Sequence, residues 1–340
     1  MAYLAATALL EYRQKYAQSN LDKQENRGSG FGLLSLAKRD TPKLITPQAL
    51  INARGTAARL TKVPVLQKIT YTPGSARSCT GATTNSVSAL VTITWVTWTA
   101  GFHMVPSQYD NNDIAYVEDF KNKLFHLERK LAVDLEGAIY TKLDTVKSTS
   151  FTADGAPFPF TANVITVPNA AKKTYLNEIY QSMYADDFNG PFNIVGSPAL
   201  MSANAFYNNQ GAGNQENTMF QFGDFNFDYS NRVTKSAGAE STFFVMPHGS
   251  LAILDWIDPD SRAGRRISES NYYTSFNLPM VGLNVGLHVQ TACADNTTEA
   301  GAGLEASVTE NYNFSLDYAL ITPYISAGAG PIFKADITTL

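Results

Sequence analysis

The segment NNDIAYVEDFKNKLFHLERKLAVDLEGAIYTKLDTVKS limits the fold more than any other part of the chain. Val117, Phe120, Leu124, Leu127, Leu131, Leu135, Ala138, Ile139, Leu143 and Val146 recur at steps of three and four, the spacing of one apolar stripe along a helix. Asn112 or Asp113 can cap its start, Glu118 and Asp119 suit an early turn, and Lys142 and Lys147 suit its end. A helix over residues 113–147 would run for roughly 50 Å. Most globular helices have about 11–12 residues, so this one is a girder, and its neighbours must be long enough to cover the stripe.

The rest of the 340-residue chain offers material for two ordinary domains or one large one, and a 44% hydrophobic content excludes wholesale disorder. The net charge of −4 conceals an asymmetry. Residues 1–78 hold 12 Lys and Arg against four acidic residues, a net +8, whereas residues 79–340 hold 14 against 26, a net −12. The basic part could contact nucleic acid through Arg54, Arg59, Lys62 and Lys68, but no interleaved aromatic residues supply a stacking platform. Docking on the acidic body of an adjacent copy is the favoured reading, with incidental contact to packaged DNA kept beside it. The N-terminus lacks a basic stretch before its apolar run, which Glu11 ends, so it does not read as a signal peptide. No window approaches 18 uninterrupted apolar residues, so no membrane-spanning helix and no membrane partner is expected. Cys79 and Cys293 lack any C-x-x-C spacing. They read as free thiols, with a single bridge left open.

Around the girder the chain divides by texture. After a short helix in residues 1–18, the tract to Pro64, dotted with Gly28, Gly30, Gly32, Pro42 and Pro47, reads as an extended arm with one short helix after Thr46. So long an arm is expected to lie on a neighbouring subunit. Residues 68–106 read as a long β-hairpin with limbs KITYT and SVSALVTITWVTWTAGFHMV, and both faces of the second limb are partly apolar. An isolated hairpin is marginal in water, so this one needs a partner surface, with Trp95 and Trp98 as its anchors. Beyond the girder, a helix over 174–185, the strand FNIVG, a helix opened by Ser197 and Pro198, an aromatic strand FQFGDFNFDYSNRV and a second strand–turn–helix, FFVMPHGSLAILDWI, form a mixed α/β unit. A polar loop with Arg262, Arg265 and Arg266 leads to two long closing strands, VGLNVGLHVQTACA and ASVTENYNFSLDYALITPYI.

Enzymatic motifs are missing. No nucleotide-binding, nucleophile-elbow or zinc-protease pattern occurs, and GSGFG at 28–32 follows no strand, so it reads as a flexible joint. Asp224, Asn226 and Asp228 copy the opening of a calcium loop, but Tyr229 and Lys235 stand where Gly and Glu are required. His103, His126, His248 and His288 fall in four different elements without ligand spacing, and Asp186–Asp187 reads as an acidic turn. No catalytic residue, cofactor or metal site is assigned.

The order of these parts, together with the texts FNIVGSPALMSA (192–203) and STFFVMPHGSLAILDW (241–256), resembles the major capsid proteins of tailed bacteriophages with the Hong Kong 97 capsid fold. The resemblance implies an α+β fold: an N-terminal arm (1–64), an E-loop hairpin (65–110), a P-domain (111–170) with its spine helix at 113–147, an inserted α/β A-domain (171–284) and returning P-domain strands (285–340). It implies a non-enzymatic structural protein that assembles with copies of itself, in pentamers and hexamers, into an icosahedral head around double-stranded DNA. The virion, assembled in the bacterial host cytoplasm, would be its location. Portal, scaffolding and decoration proteins are left open as further partners. Expected intersubunit contacts are Arg54, Arg59, Lys62, Trp95, Trp98, Arg262, Arg265 and Arg266. Some members cross-link an E-loop Lys to a P-domain Asn; the tip PGSARSCTGATTNS holds no Lys, so locking without covalent bonds is expected. Some also carry a large N-terminal scaffolding segment, whereas only a short helix precedes the arm here. An encapsulin-like bacterial nanocompartment shell and, across class, a cytoplasmic enzyme of unknown reaction are the rival readings.

Overall fold

The computed structural model describes residues 31–60, 62–66, 88–109, 113–151, 158–172, 174–188, 190–204, 225–294, 307–323 and 330–339. The girder is one uninterrupted helix, Asp113–Val146, the third of the described helices and here called α3. Its stripe is buried as the spacing requires: Phe120, Leu124, Leu131, Leu135, Ile139 and Leu143 have no exposed surface, while Val117, Ala138 and Val146 sit half-buried along the margin. Each fully buried Leu or Phe contributes on the order of 1.5–3 kcal/mol. The surface it covers is a six-stranded antiparallel sheet. Its path runs β10 (Arg266–Ser268), β11 (Asn271–Leu278), β12 (Leu283–Ala294), β13 (Ser307–Ile321) and β3 (Val96–Met104).

Strand β13 is long enough to take two partners in succession on one side. Gly286 of β12 stands opposite Ser315, and where the pairing with β12 stops, Trp256 of β9 (Ala252–Trp256) stands opposite Asp317. Asp317 is also opposite Thr97 of β3, so β9 occupies the side that β12 leaves free. Alternation assigns the faces. Leu287, Val289, Tyr312, Phe314 and Leu316 point at α3, and Asn271, His288, Gln290, Asn311, Asn313 and Ser315 point away from it.

A second six-stranded sheet follows the order β4 (Phe160–Thr161), β5 (Val164–Val167), β14 (Phe333–Thr338), β8 (Ala239–Pro247), β6 (Phe192–Gly196) and β7 (Phe225–Tyr229). The β5–β14 and β6–β7 pairs are parallel and the others antiparallel. Strand β8 serves two cores. Phe243 and Val245 pack with helix α4 (Tyr175–Ala185) and the turn of helix at 200–204, while Phe244 and Met246 join the core under α3. Lys334 of β14, on that same side, pairs with Asp144 of α3 at 2.9 Å. The two sheets therefore share the girder. The chain has a mixed α/β fold.

Several sequence expectations meet their elements: α3, α4, β6 and the closing strands begin and end within a few residues of the predicted bounds. Others need correction. LAILDW, expected as a helix, is strand β9: all five residues of Ala252–Trp256 are buried, as in a strand covered on both faces, and the one charged member, Asp255, is paired with Arg54. The chain turns into it at Gly249, where φ is +79°. Residues 252–278, expected within the inserted unit, supply β9, β10 and β11 to the sheet under α3, and β14, expected with the closing strands, lies in the second sheet.

The arm also departs from the extended form. Gly32–Leu44 is a helix, α1, followed by α2 (Pro47–Gly55), whose cap is Thr46, accepting from the Ala49 N–H at 3.3 Å. Leu33, Leu36, Ala37, Asp40 and Thr41 of α1 are buried at helical spacing. Their second half is polar, which hides the stripe from a hydrophobicity reading. Gly32, expected in a flexible joint, starts α1 pressed against β7: an added Cβ would stand 2.4 Å from the Tyr229 carbonyl oxygen. The hairpin base pairs β1 (Lys62–Leu66) with β2 (Ser88–Thr92), so its first limb starts earlier than KITYT; the tip lies outside the described residues. The second limb breaks at Ile93–Trp95 before re-entering the main sheet as β3.

Candidate assembly surfaces

Three of the expected contact residues meet at one place. Strands β9 and β13 set Asp255 and Asp317, both buried, beside Trp256. The Nε–H of Arg54, in the last turn of α2, donates to Asp255 Oδ1 at 2.8 Å, and Arg59 lies 2.9 Å from Asp317 Oδ2. Arg262, from the short helix α5 (Pro259–Ala263), donates to the carbonyl oxygens of Arg54 and Thr56. The guanidinium groups of Arg59 and Arg262 stand 5.5 and 5.8 Å from the Trp256 ring centre, and the Trp256 indole N–H donates to Thr56 O at 3.2 Å. Three arginines and two aspartates thus clamp the segment after α2 onto the body. Arg39 of α1 adds a third arginine–aspartate pair, with Asp228 at 2.7 Å. The arm-to-body ion pairs, expected between copies, form within one chain here because α1 and α2 fold back on their own core. That folding brings each arginine to a carboxylate of the same molecule.

Both hairpin tryptophans are also engaged within the chain. Trp95 packs with the small core of α2, β9 and β13 and donates to Leu60 O at 2.7 Å; Trp98 donates to Asp134 of α3 at 3.1 Å. Lys62 is exposed at the start of β1. Arg265 and Arg266 are more than half exposed and make only short-range pairs with Asp260 and Glu269, leaving them and the 59% exposed Ile267 as a projecting patch.

Residues that the sequence reading missed secure the arm from below. Glu128 and Glu136 are buried on α3, two turns apart. Glu136 Oε1 accepts the Leu34 N–H at 2.6 Å, capping the first turn of α1, and Oε2 accepts the Ser230 hydroxyl at 2.5 Å. Burial pushes its carboxyl up to about 7, against the pull of those hydrogen bonds and of Arg232. Glu128 accepts the Met280 and Val281 N–H groups in the β11–β12 turn, where Lys38 of α1 donates to Val281 O. A Glu on the stripe margin of an amphipathic helix reads as solvated, and only the covering arm reveals its role.

Other buried or half-buried titratable groups among the described residues hold the structure together. Tyr116 and Tyr312 both donate to Glu310 Oε2, at 2.6 and 2.9 Å, and burial, together with that carboxylate, holds both phenols far above their usual range. Tyr109, donating to Asp119 at 2.6 Å, is pushed up to about 12 by burial and by that bond. Asn226 and Asp228 of the calcium-like text face His248 and Arg39, and Asp224 lies outside the described residues, as does Cys79. Lys43 stands 2.7 Å from His248 Nδ1. His288 stacks on Tyr273 at 4.2 Å, and His103 and His126 line one groove between β3 and α3. Among the described residues no group of three or more His, Cys, Asp or Glu could hold a metal ion.

No protein-family model matches the chain, and no curated protein matches it. Solved structures do. The capsid of a native GTA particle is 11% identical, with 91% of each chain covered and a TM-score of 0.46. The capsid of Ralstonia phage GP4 is 8% identical, covering 82% of this chain and 84% of that one, with a TM-score of 0.43. The holo-SrpI encapsulin complex from Synechococcus elongatus PCC 7942 is 12% identical, covering 87% and 89%, with a TM-score of 0.38.

Proposed function

We propose that the chain is the major capsid protein of a tailed bacteriophage, a structural subunit that tiles an icosahedral head around packaged double-stranded DNA. The observation that carries this reading is the construction of the chain itself. One 34-residue helix stiffens two sheets, an edge strand continues outward into a hairpin base, and the charged and polar side chains buried in the body serve to lash these parts together. Such a body is rigid, and its buried carboxylates and phenols hold backbone and side-chain partners of the fold. It acts by association and carries out no reaction. Pentamers and hexamers of the same chain are its main partners, with portal, scaffolding and decoration proteins beside them and DNA held by non-specific contact. Its place is the virion, assembled in the cytoplasm of the bacterial host.

Expression of the full chain followed by size-exclusion chromatography and negative-stain microscopy tests this: closed shells are expected, and a monodisperse monomer or dimer would overturn it. An encapsulin-like compartment uses the same construction around protein cargo. Nucleic acid in purified particles supports the virus; shells filled with a co-purifying enzyme support the compartment.

A further inference from the structure

Strand β3 is an edge strand: β13 pairs with one side, and no described strand pairs with the other. Beside that open edge, β3 and α3 enclose a groove of about 600 Å³. Its floor holds Phe102 and Leu127, and its wall carries Lys123, His126 and Lys130, three side chains on one helix face, with His103 at the strand. Lys123 pairs with Asp119 at 3.0 Å and also reaches β3, donating to His103 O at 3.2 Å, whereas Lys130 pairs only with Asp134 one turn away, at 2.5 Å, and is 66% exposed. The surface therefore offers the backbone groups of an open strand edge and, about 10 Å apart along the helix, two cations, one already reaching toward that strand.

The chain carries a segment of matching chemistry. Residues 295–306, DNTTEAGAGLEA, hold Asp295, Glu299 and Glu305 with no Lys or Arg, and Leu304 as one apolar side chain among glycines and alanines. They join β12 to β13 at the sheet end where Met104 faces Glu310. The turn Pro106–Tyr109 packs against β13 and is tied to α3 through Tyr109 and Asp119.

We propose that the groove between β3 and α3 receives the acidic 295–306 segment of a second copy, which adds to the open edge of β3 and sets its carboxylates against Lys123 and Lys130. The proposal rests on the reading of the chain as a self-tiling subunit and gives that tiling one specific contact. In an extended segment alternate side chains recur about every 6.6 Å, and Asp295, Glu299 and Glu305, all at odd positions, fall on one face, where they can meet both lysines.

The test is a fluorescein-labelled synthetic peptide of residues 295–306, followed by anisotropy on the unassembled full chain. Saturable binding is expected, weakened at least fivefold in the Lys123→Gln/Lys130→Gln variant while its melting temperature stays unchanged. Absence of saturable binding, or equal binding by the variant, overturns the proposal, as does binding that emerges only once residues 1–30 are deleted, since the groove would then belong to the chain's own N-terminus. A second arm uses assembly. Asp295→Lys/Glu299→Lys/Glu305→Lys should lower shell yield, and adding Lys123→Glu/Lys130→Glu should restore it; failure to restore overturns the contact. If the wild-type chain forms no shells, the capsid reading fails while the peptide titration still decides this proposal.

Discussion

Glu136 shows how one side chain couples the girder to the arm. Its carboxyl titrates near 7 in the folded chain against an ordinary value of 4.5, because burial disfavours the charged form. Between those values the folded state holds a proton that the unfolded state has released, so the stability this proton lends is complete below pH 4.5 and is lost as the pH rises through 7. Raising the pH from 5 to 8 should cost on the order of 1–3 kcal/mol, concentrated where Glu136 meets α1. Hydrogen exchange of the α1 amides at the two pH values would measure this. The Glu136→Gln variant, neutral throughout and still able to accept the Leu34 N–H, should lose most of the dependence; an unchanged profile would assign the effect to another group. Nothing in the sequence marks Glu136, since its importance arises from residues a hundred positions away. The arginines were legible as charge but not as geometry. Composition identified Arg54 and Arg59 as excess positive charge near acidic partners, and only the fold decides that Asp255 and Asp317 of the same chain receive them.

At the scale of elements, legibility follows the strength of the period. The helix α3 was readable because ten apolar residues hold one spacing over nine turns, a signal that no loop or strand imitates. Helix α1 was not, because Asp40 and Thr41 occupy stripe positions and satisfy buried donors: Asp40 accepts from Asn193 and from the Gly249 N–H, and Thr41 accepts from the Ile253 N–H. Strand β9 is ambiguous for the opposite reason, since the short, mostly apolar text LAILDW without alternation suits a buried strand and a buried helix equally. Two substitutions in α3 check its role as girder. Leu131→Ala removes a side chain with no exposed surface from the middle of the shared core and should destabilise by about 2–5 kcal/mol. Gly137→Ala adds a methyl where nothing lies within 4 Å, in a helix interior where glycine is unfavourable, and should stabilise by about 0.5–1 kcal/mol. Chemical denaturation of both variants would test the pair; an alanine at 137 that destabilises would mean that Gly137 accommodates a neighbour in the assembled state.

The whole molecule separates interactions that build the subunit from those left for its neighbours. The clamp around Trp256, the Trp95 and Trp98 hydrogen bonds and the two buried glutamates are internal, so mutating them perturbs folding and assembly together. Arg265 and Arg266 differ. They stand at the start of a short edge strand, more than half exposed, beside the exposed Ile267, and their carboxylate partners lie only three to five residues away. Exposed pairs of this kind contribute about 0–1 kcal/mol to the fold, so Arg265→Glu/Arg266→Glu should leave the melting temperature nearly unchanged. If these arginines face acidic residues of the next copy, the reversal places like charges across a repeated interface, and the penalty multiplies with every copy in a closed shell. Shell yield, read by sedimentation and microscopy, should then fall sharply while the unassembled chain stays folded. Normal shells from the reversed variant would remove Arg265 and Arg266 from the interface, and a large drop in melting temperature would return them to the fold. The clamp gives the matching control: Arg54→Ala leaves the buried Asp255 without its guanidinium partner and should lower the melting temperature before any question of shells arises.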